Sequence, residues 1–162
     1  MLSIKRILVP IDFSACSQHA LDYALTFAER FEARVDLLHV YEPPFDLGDV
    51  PVQVGDAPPL PISEYIRVQV RNNLEVMLDQ CPEHIQVTSH LITGRVDHEV
   101  VELAERESID LIIMGTHGRT GLSRFFLGSV AERVLRRANC PVLTVRHPEE
   151  DADIEAEPRE NG

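Results

Sequence analysis

The apolar run Ile109-Asp-Leu-Ile-Ile-Met114 leads directly into Gly115-Thr-His-Gly-Arg-Thr-Gly-Leu-Ser-Arg-Phe-Phe-Leu-Gly-Ser129. The run predicts a buried strand, and residues 130–137 have the spacing of an amphipathic helix. Four of the eight glycines of the chain lie in the connection between them. The first N–H groups of a helix have no intrahelical partner, and the helix dipole attracts anions. A glycine-rich loop at this position therefore predicts a phosphate-binding site.

Two common phosphate-binding motifs are excluded. A Walker A loop needs Gly-Lys-Ser/Thr, and the one lysine of the chain is Lys5, ahead of the first strand. A dinucleotide fingerprint places its glycines after the first strand, which here continues as Val9-Pro-Ile-Asp-Phe-Ser14. Backbone amides and Ser129 are therefore the candidate phosphate ligands. Arg119 is either a further phosphate ligand or a solvated loop residue.

Strands and helices are predicted to alternate along the whole chain. The predicted strands are 5–11, 33–40, 85–93, 109–114 and 140–145, and the predicted helices begin near residues 14, 63, 97 and 130. Such alternation predicts an α/β fold with one parallel sheet and helices on both faces. Its ligand is expected beyond the carboxyl ends of the strands, where the loops after the first and fourth strands meet if those strands are neighbours.

Helix caps are predicted from short polar residues. Asp12 or Ser14 is expected to cap the first helix and Asp97 the third, while Ser129 and Glu132 have the spacing of a capping box at the fourth. Cys16 falls in the first turn of the first helix. It is either a thiolate favoured by that position or a packed small residue.

Two segments depart from the alternating pattern. Residues 42–62 contain six prolines and two glycines, a density that predicts no regular element. Residues 148–162 contain seven acidic residues and one arginine, a composition that predicts a disordered tail. We therefore expect one domain over residues 1–147, with 42–62 as a proline-rich insert and 148–162 as an acidic tail.

Composition narrows the functional classes. The net charge of −12 would repel nucleic acid unless a local basic patch overcame it. Membrane insertion is not expected, since no apolar run reaches about 20 residues. The absence of a signal-peptide pattern predicts a cytoplasmic location. Three widely spaced cysteines predict neither a disulfide framework nor a zinc site.

Three separated segments resemble one known family. The pattern Gly115-x2-Gly118-x9-Gly128-Ser129, the opening Lys5-Arg-Ile-Leu-Val-Pro-Ile-Asp-Phe-Ser14 and the closing Ala138-Asn-Cys-Pro-Val-Leu-Thr-Val145 are similar to the universal stress protein family. The resemblance implies an adenine-nucleotide alpha-hydrolase-like fold with strand order 3-2-1-4-5. It also implies ATP as ligand, with Mg²⁺ or Mn²⁺, and a homodimer through the fifth strand at about Val142–Val145.

The resemblance also assigns roles to individual residues. It places Pro10, Ile11 and Asp12 at the adenine and ribose, the Val40 backbone at adenine, Met114 and Gly115 below the ribose, and Gly118, Arg119, Gly128, Ser129 and Val130 around the phosphates. His117, within the same motif, is also counted among the nucleotide-binding residues. From the residues alone, Asp12 and Ser129 could each be only helix caps. A catalytic His117 would need an oriented partner and a reacting group within reach. The sequence shows neither, so no catalytic residue and no protein metal ligand is predicted.

Three functions compete. The first is a dimeric ATP-binding regulatory protein of the stress response, in which the nucleotide acts as a conformational ligand, hydrolysis is at most slow, and an unidentified protein partner reads the bound state. The second is a slow ATPase or nucleotidyl-transfer enzyme on the same fold. The third is RNA binding through the G-x-x-G spacing at Gly118–Gly121, which the acidic charge disfavours.

Overall fold

The computed structural model describes residues 3–42, 50–56, 58–116 and 127–146. Its elements follow the predicted alternation, with one addition inside the proline-rich insert. In chain order they are β1 (Arg6–Pro10), α1 (Ala15–Phe31), β2 (Arg34–Tyr41), β3 (Pro51–Val52), β4 (Leu60–Pro61), α2 (Ile62–Asp79), β5 (Val87–Thr93), α3 (Val96–Arg106), β6 (Leu111–Gly115), α4 (Ser129–Arg137) and β7 (Val142–Val145).

The principal sheet has five parallel strands in the order β5-β2-β1-β6-β7. Numbered along the chain without the two short strands of the insert, this order is 3-2-1-4-5, so the predicted fold class is confirmed. β1 pairs with β6 through Ile7 opposite Leu111. The loops that follow these two strands therefore open at the same edge of the sheet, where the winding direction reverses.

Apolar clusters cover both faces of the sheet. In β1, Ile7 and Val9 face α1 and α2, whereas Leu8 faces α3 and α4, and all three are fully buried. Burial on both faces explains why the sequence of this strand is continuously apolar rather than alternating. On α1, Ala20, Ala24 and Ala28 recur every four residues, so one narrow stripe of small side chains packs the helix closely on the sheet.

An ionic network lies between β1, β2, β5 and the carboxyl end of α3. The Arg6 guanidinium donates to both carboxylate oxygens of Asp36 at 2.7 and 2.9 Å and also contacts Glu107 at 2.7 Å. The Nε2 atom of His90 lies 2.7 Å from Asp36. Burial acts to raise the pKa of Asp36, but the hydrogen bonds from Arg6 and His90 outweigh it and hold this pKa well below its ordinary value.

The predicted caps of α3 and α4 are wrong, whereas Ser14, one of the two candidates at α1, is correct. Ser14 does cap α1, since its side chain accepts from the Ser17 N–H. The residue at the N-cap of α3 is instead Arg95, and Asp97 lies inside the helix, buried by contacts from other elements. At α4 the N-cap is Gly128, so Ser129 is the first helical residue and the capping box does not form. At α3 the tertiary contacts of Asp97 outweigh the local capping pattern, and at α4 the cap is shifted by one residue.

The insert contains one regular element that was not predicted. β3 and β4 form a two-residue antiparallel pair, Pro51 opposite Pro61 and Val52 opposite Leu60, and the Ile62 N–H donates to the Val50 carbonyl beside it. The expectation of no regular element over 42–62 is therefore wrong at residues 51–52 and 60–61. Prolines are tolerated because so short a pair needs few ladder donors.

Several predictions lie outside the described residues. These concern His117, Gly118 and Arg119 of the predicted site, residues 43–49 and 57 of the insert, and the acidic tail. Among the described helices, none has both the length and the apolar character needed to cross a bilayer. The three cysteines are free thiols.

Candidate functional site

A cavity of about 200 Å³ opens at the carboxyl edge of the sheet, between the ends of β1, β2 and β6 and the starts of α3 and α4. Nine of the predicted site residues line it together. They are Pro10, Ile11, Asp12, Val40, Met114, Gly115, Gly128, Ser129 and Val130. The structure thus brings together residues that are up to 120 positions apart in the sequence, while their roles in binding stay predictions.

The glycine-rich connection is closed at its base by a backbone hydrogen bond. The Gly128 N–H donates to the carbonyl oxygen of Thr116 at 2.8 Å, and the Thr116 N–H donates to the Val145 carbonyl at 2.9 Å. The first intrahelical bond of α4 follows at once, from the Glu132 N–H to the Gly128 carbonyl at 2.9 Å. The start of α4 is therefore joined to the end of β6 through main-chain hydrogen bonds.

The start of α4 has the chemistry of an anion site. The N–H groups of Ser129, Val130 and Ala131 precede the first intrahelical bond, and all three residues line the cavity. The N-cap residue Gly128 has no side chain with which to cap these donors. A phosphate oxygen placed there would accept hydrogen bonds from them and be stabilised by the helix dipole.

Asp12 holds the turn that follows β1. Its Oδ1 atom accepts from the Ser14 N–H at 3.0 Å and from the Ser14 hydroxyl at 2.5 Å. Ser14 in turn caps α1. Asp12 therefore orders the cap without being the cap, and it also lies at the cavity wall.

His39 fixes the same turn from β2, and sequence reasoning missed it. Its Nδ1 atom lies 2.7 Å from the Ile11 carbonyl, which can only accept, so Nδ1 carries the proton. The His39 ring also packs against Phe13 with a centroid separation of 4.8 Å. Phe13 has a φ of 65°, a left-handed conformation that is uncommon for a bulky residue. These two contacts stabilise a strained turn at the cavity.

The backbone of Val40 faces the cavity. The Leu38 carbonyl accepts from Ile11 beside β1, whereas the N–H of Val35 and the carbonyl of Tyr41 bond toward β5. Backbone groups alternate in direction along a strand, so the N–H and C=O of Val40 point toward β1. β1 ends at Pro10, opposite Leu38, and the space in front of Val40 belongs to the cavity.

Five further lining residues were not predicted: Ser17, Leu38, Val96, Thr116 and Ala131. Leu38 could have been found from the two-residue period of a strand, because it lies on the same face as Val40. Thr116 and Ala131 adjoin predicted residues. Val96 begins the helix that follows β5, and the strand alternation places that turn at the same edge.

Cys16 is a packed thiol. It is buried, and its Sγ–H donates to the Val145 carbonyl at 3.3 Å. The packed interpretation of Cys16 is therefore the one the contacts support. Among the residues that the structure describes, no group of three or more histidine, cysteine or acidic side chains is placed to hold a metal ion.

A parallel α/β sheet with helices on both faces and a cavity at its topological switch point defines a doubly wound α/β protein. The model of the universal stress protein family matches residues 3–146. The chain belongs to the universal stress protein family.

Individual relatives agree with this assignment. Universal stress protein MJ0531 of Methanocaldococcus jannaschii is 36% identical over 155 residues, covering 91% of this chain and 85% of that protein. The solved structure of MJ0577, from the same organism, superposes with a TM-score of 0.72 at 30% identity, covering 89% of this chain and 96% of the other. A universal stress protein in complex with cAMP superposes with a TM-score of 0.62 at 22% identity, covering 89% of this chain and 98% of the other. At that identity the last likeness concerns the fold alone.

Proposed function

We propose that the cavity binds ATP and that the protein acts in the stress response as a nucleotide-controlled regulator rather than as a fast enzyme. One observation carries this proposal: the uncapped start of α4 and the end of β2 face the same cavity. One wall thus offers donors for an anion, and the other offers a strand-end backbone for a flat ring. Family membership and the glycine pattern of residues 115–129 also support the proposal.

At the base end, the Val40 backbone would recognise adenine. Its N–H can donate to ring nitrogen N1, and its carbonyl can accept from the exocyclic N6 amino group. Guanine presents the opposite order at these positions, a carbonyl oxygen and an N–H. Leu38, Met114 and Val96 supply apolar surface around the ring.

At the phosphate end, the N–H groups of Ser129 and Val130 and the Ser129 hydroxyl would bind phosphate oxygens. Gly118, Arg119 and His117 would complete the site by the family pattern. We propose that Mg²⁺ or Mn²⁺ binds through phosphate oxygens and water.

The proposed assembly is a homodimer through β7. Among the described residues this strand forms one edge of the principal sheet and pairs with β6, so a second copy could pair with its outer backbone groups. An unidentified regulatory protein would read the nucleotide-dependent state of the dimer. The proposed location is the cytoplasm.

Calorimetric titration of ATP, ADP and AMP with Mg²⁺ tests the ligand. We expect the wild type to bind ATP most tightly and a Gly118→Val/Ser129→Ala variant to lose binding. Ser89→Ala is the matched control, because Ser89 is an exposed serine on β5, away from the cavity. Absence of ATP binding by a folded, nucleotide-free wild type would overturn the proposal.

A further inference from the structure

A buried carboxylate joins α3 and α4 beside the cavity. Asp97 is the second residue of α3, and only 1% of its surface is exposed. Its two carboxylate oxygens accept from Arg95 at 2.9 and 3.2 Å and from Arg137 at 3.2 Å, and Arg133 approaches to 3.5 Å. We call Asp97 with these three arginines the Asp97 clamp.

The clamp connects two separate helices. Arg95 immediately precedes α3, whereas Arg133 and Arg137 are one turn apart on α4. Burial acts to raise the pKa of Asp97, but the Arg95 hydrogen bond and the charges of Arg95 and Arg133 hold it below its ordinary value. The carboxylate is therefore ionised at neutral pH, and separating the helices would remove two of its three arginine partners, Arg133 and Arg137.

The two helices joined by the clamp form facing walls of the cavity. Val96, between Arg95 and Asp97, lines one side, and Val130 and Ala131 line the other. Val96 is itself held on its other side, because its N–H donates to the Glu42 carboxylate at 3.1 Å just beyond β2. Beneath them, Val100 and Val134 are both fully buried in one apolar cluster. The distance between the α3 wall and the α4 wall of the cavity is thus set by two contacts. One is the apolar cluster that contains Val100 and Val134, and the other is the Asp97 clamp.

We propose that Asp97 is a positioning residue for the ligand cavity, holding Val96 and the start of α4 at the spacing that a bound nucleotide requires. The proposal rests on the proposed nucleotide function and goes beyond it by assigning a role to Asp97 and its arginine partners, which do not line the cavity. Its alternative is that Asp97 only stabilises the fold. A second alternative is that the clamp acts on the ligand through its net positive charge.

Two variants with opposite changes of charge separate these possibilities. Asp97→Asn removes a negative charge, and the double variant Arg133→Gln/Arg137→Gln removes two positive charges. A positioning role for Asp97 predicts that both variants weaken ATP binding by about tenfold, a typical size for coupling through packed elements. A charge effect predicts opposite signs, since Asp97→Asn would then tighten binding of an anion. Arg136→Gln is the control, because Arg136 is an exposed arginine of α4 that pairs with Glu132.

The measurements are calorimetric titration with Mg²⁺-ATP and thermal unfolding with and without it. A purely structural role would lower the melting temperature but leave the ATP-induced increase unchanged, because that increase depends on the ratio of ligand concentration to Kd. We expect the increase to shrink in both clamp variants and to persist in Arg136→Gln. Unchanged ATP affinity in both folded clamp variants, or opposite changes in the two, would overturn the proposal while leaving nucleotide binding intact. Absence of binding by the wild type would overturn both.

Should Asp97→Asn fail to fold, the double variant decides alone. It leaves Asp97 paired with Arg95, so the buried carboxylate retains a partner. Weaker ATP binding than in an Arg136→Gln/Arg106→Gln variant, which removes the same charge from two exposed positions outside the clamp, would support positioning. Equal binding by these two double variants would overturn it.

Discussion

A β-carbon added to Gly115 would lie 3.1 Å from the Sγ atom of Cys16 and 3.2 Å from the carbonyl carbon of the same residue. Gly115 ends β6, and Cys16 is in the first turn of α1. These distances are shorter than the optimal carbon contact of about 3.5–4.0 Å. Glycine at this position therefore allows α1 to begin directly against the end of β6, in addition to any close approach of a ligand.

Gly115→Ala is expected to destabilise the protein by about 1–3 kcal/mol, because the added methyl group overpacks a site bounded partly by backbone. Urea denaturation monitored by circular dichroism measures the free energy of unfolding. In a Cys16→Ala background the penalty should be smaller, since the Sγ contact is gone while the contacts at 3.2 Å remain. Equal penalties in the two backgrounds would contradict the role assigned to the sulfur atom.

Asp36→Asn is expected to reduce stability at neutral pH by about 3 kcal/mol, because Arg6 then lacks its buried partner. Asp36 also contributes to the pH dependence of stability. Its folded-state pKa is lowered, so its stabilisation is present above the ordinary aspartate pKa of about 4 and is lost as pH falls toward the folded-state pKa. The variant should therefore lose less stability than the wild type between about pH 5 and pH 3.

Asp22→Asn is the control for this pH series. The Asp22 side chain is 74% exposed and lies 3.7 Å from His19, so the same chemical change there should leave the curve nearly unaltered. If stability falls with pH in parallel for the wild type and Asp36→Asn, the Asp36 carboxylate is not the cause of the loss of stability in acid.

Thr144→Pro is expected to convert the proposed dimer to a monomer. The Ile112 and Thr116 N–H groups donate to Pro141 and Val145, so odd-numbered residues of this segment bond to β6 and Thr144 directs its N–H to the open edge. Proline removes that donor without removing a bond to β6. Sedimentation velocity at micromolar protein concentration measures the result.

Ser89→Pro makes the same change at the opposite edge of the sheet. The Gln86 carbonyl accepts from Val35, and odd-numbered residues of β5 therefore point away from β2. This variant should remain dimeric. A dimer that survives Thr144→Pro but dissociates with Ser89→Pro would place the interface on β5.

ATP is expected to bind at least about tenfold more tightly than GTP, because a guanine ring would oppose donor to donor and acceptor to acceptor at the Val40 backbone. Competition titration against a fluorescent ATP analogue measures the ratio. Magnesium and salt are held constant so that the triphosphate contribution cancels. Similar affinities for ATP and GTP would indicate that the phosphate end alone determines binding.

The sheet could be predicted from sequence because its central strands have a strong local signature. Ile7, Leu8 and Val9 are all buried although they point to alternate faces of the sheet, and a continuous apolar run in the sequence is typical of such a strand. The alternation of strands and helices then restricts the connections to a few arrangements. The predicted cavity residues came together for the same reason, since the loops after parallel strands lie at one edge of the sheet.

The missed features depend on long-range partners. Asp97 has the local appearance of a helix cap, and the arginines that bury it come 36 and 40 residues later. His39 occupies one position in an apolar strand, and its function is visible only when the Ile11 carbonyl is beside it. No short-range pattern distinguishes either residue from an ordinary cap or an ordinary strand position.

The hydrogen bond between Thr116 and Gly128 holds the two ends of the glycine-rich connection together, whatever ligand the residues between them bind. Because the Gly128 N–H bonds to the Thr116 carbonyl, the two ends of the connection meet at its base, and lengthening the residues between them should add only a small closure entropy. We therefore expect the stretch between these two residues to tolerate changes of length and sequence. Substitutions in this stretch are therefore expected to change what the cavity binds more than they change the stability of the sheet.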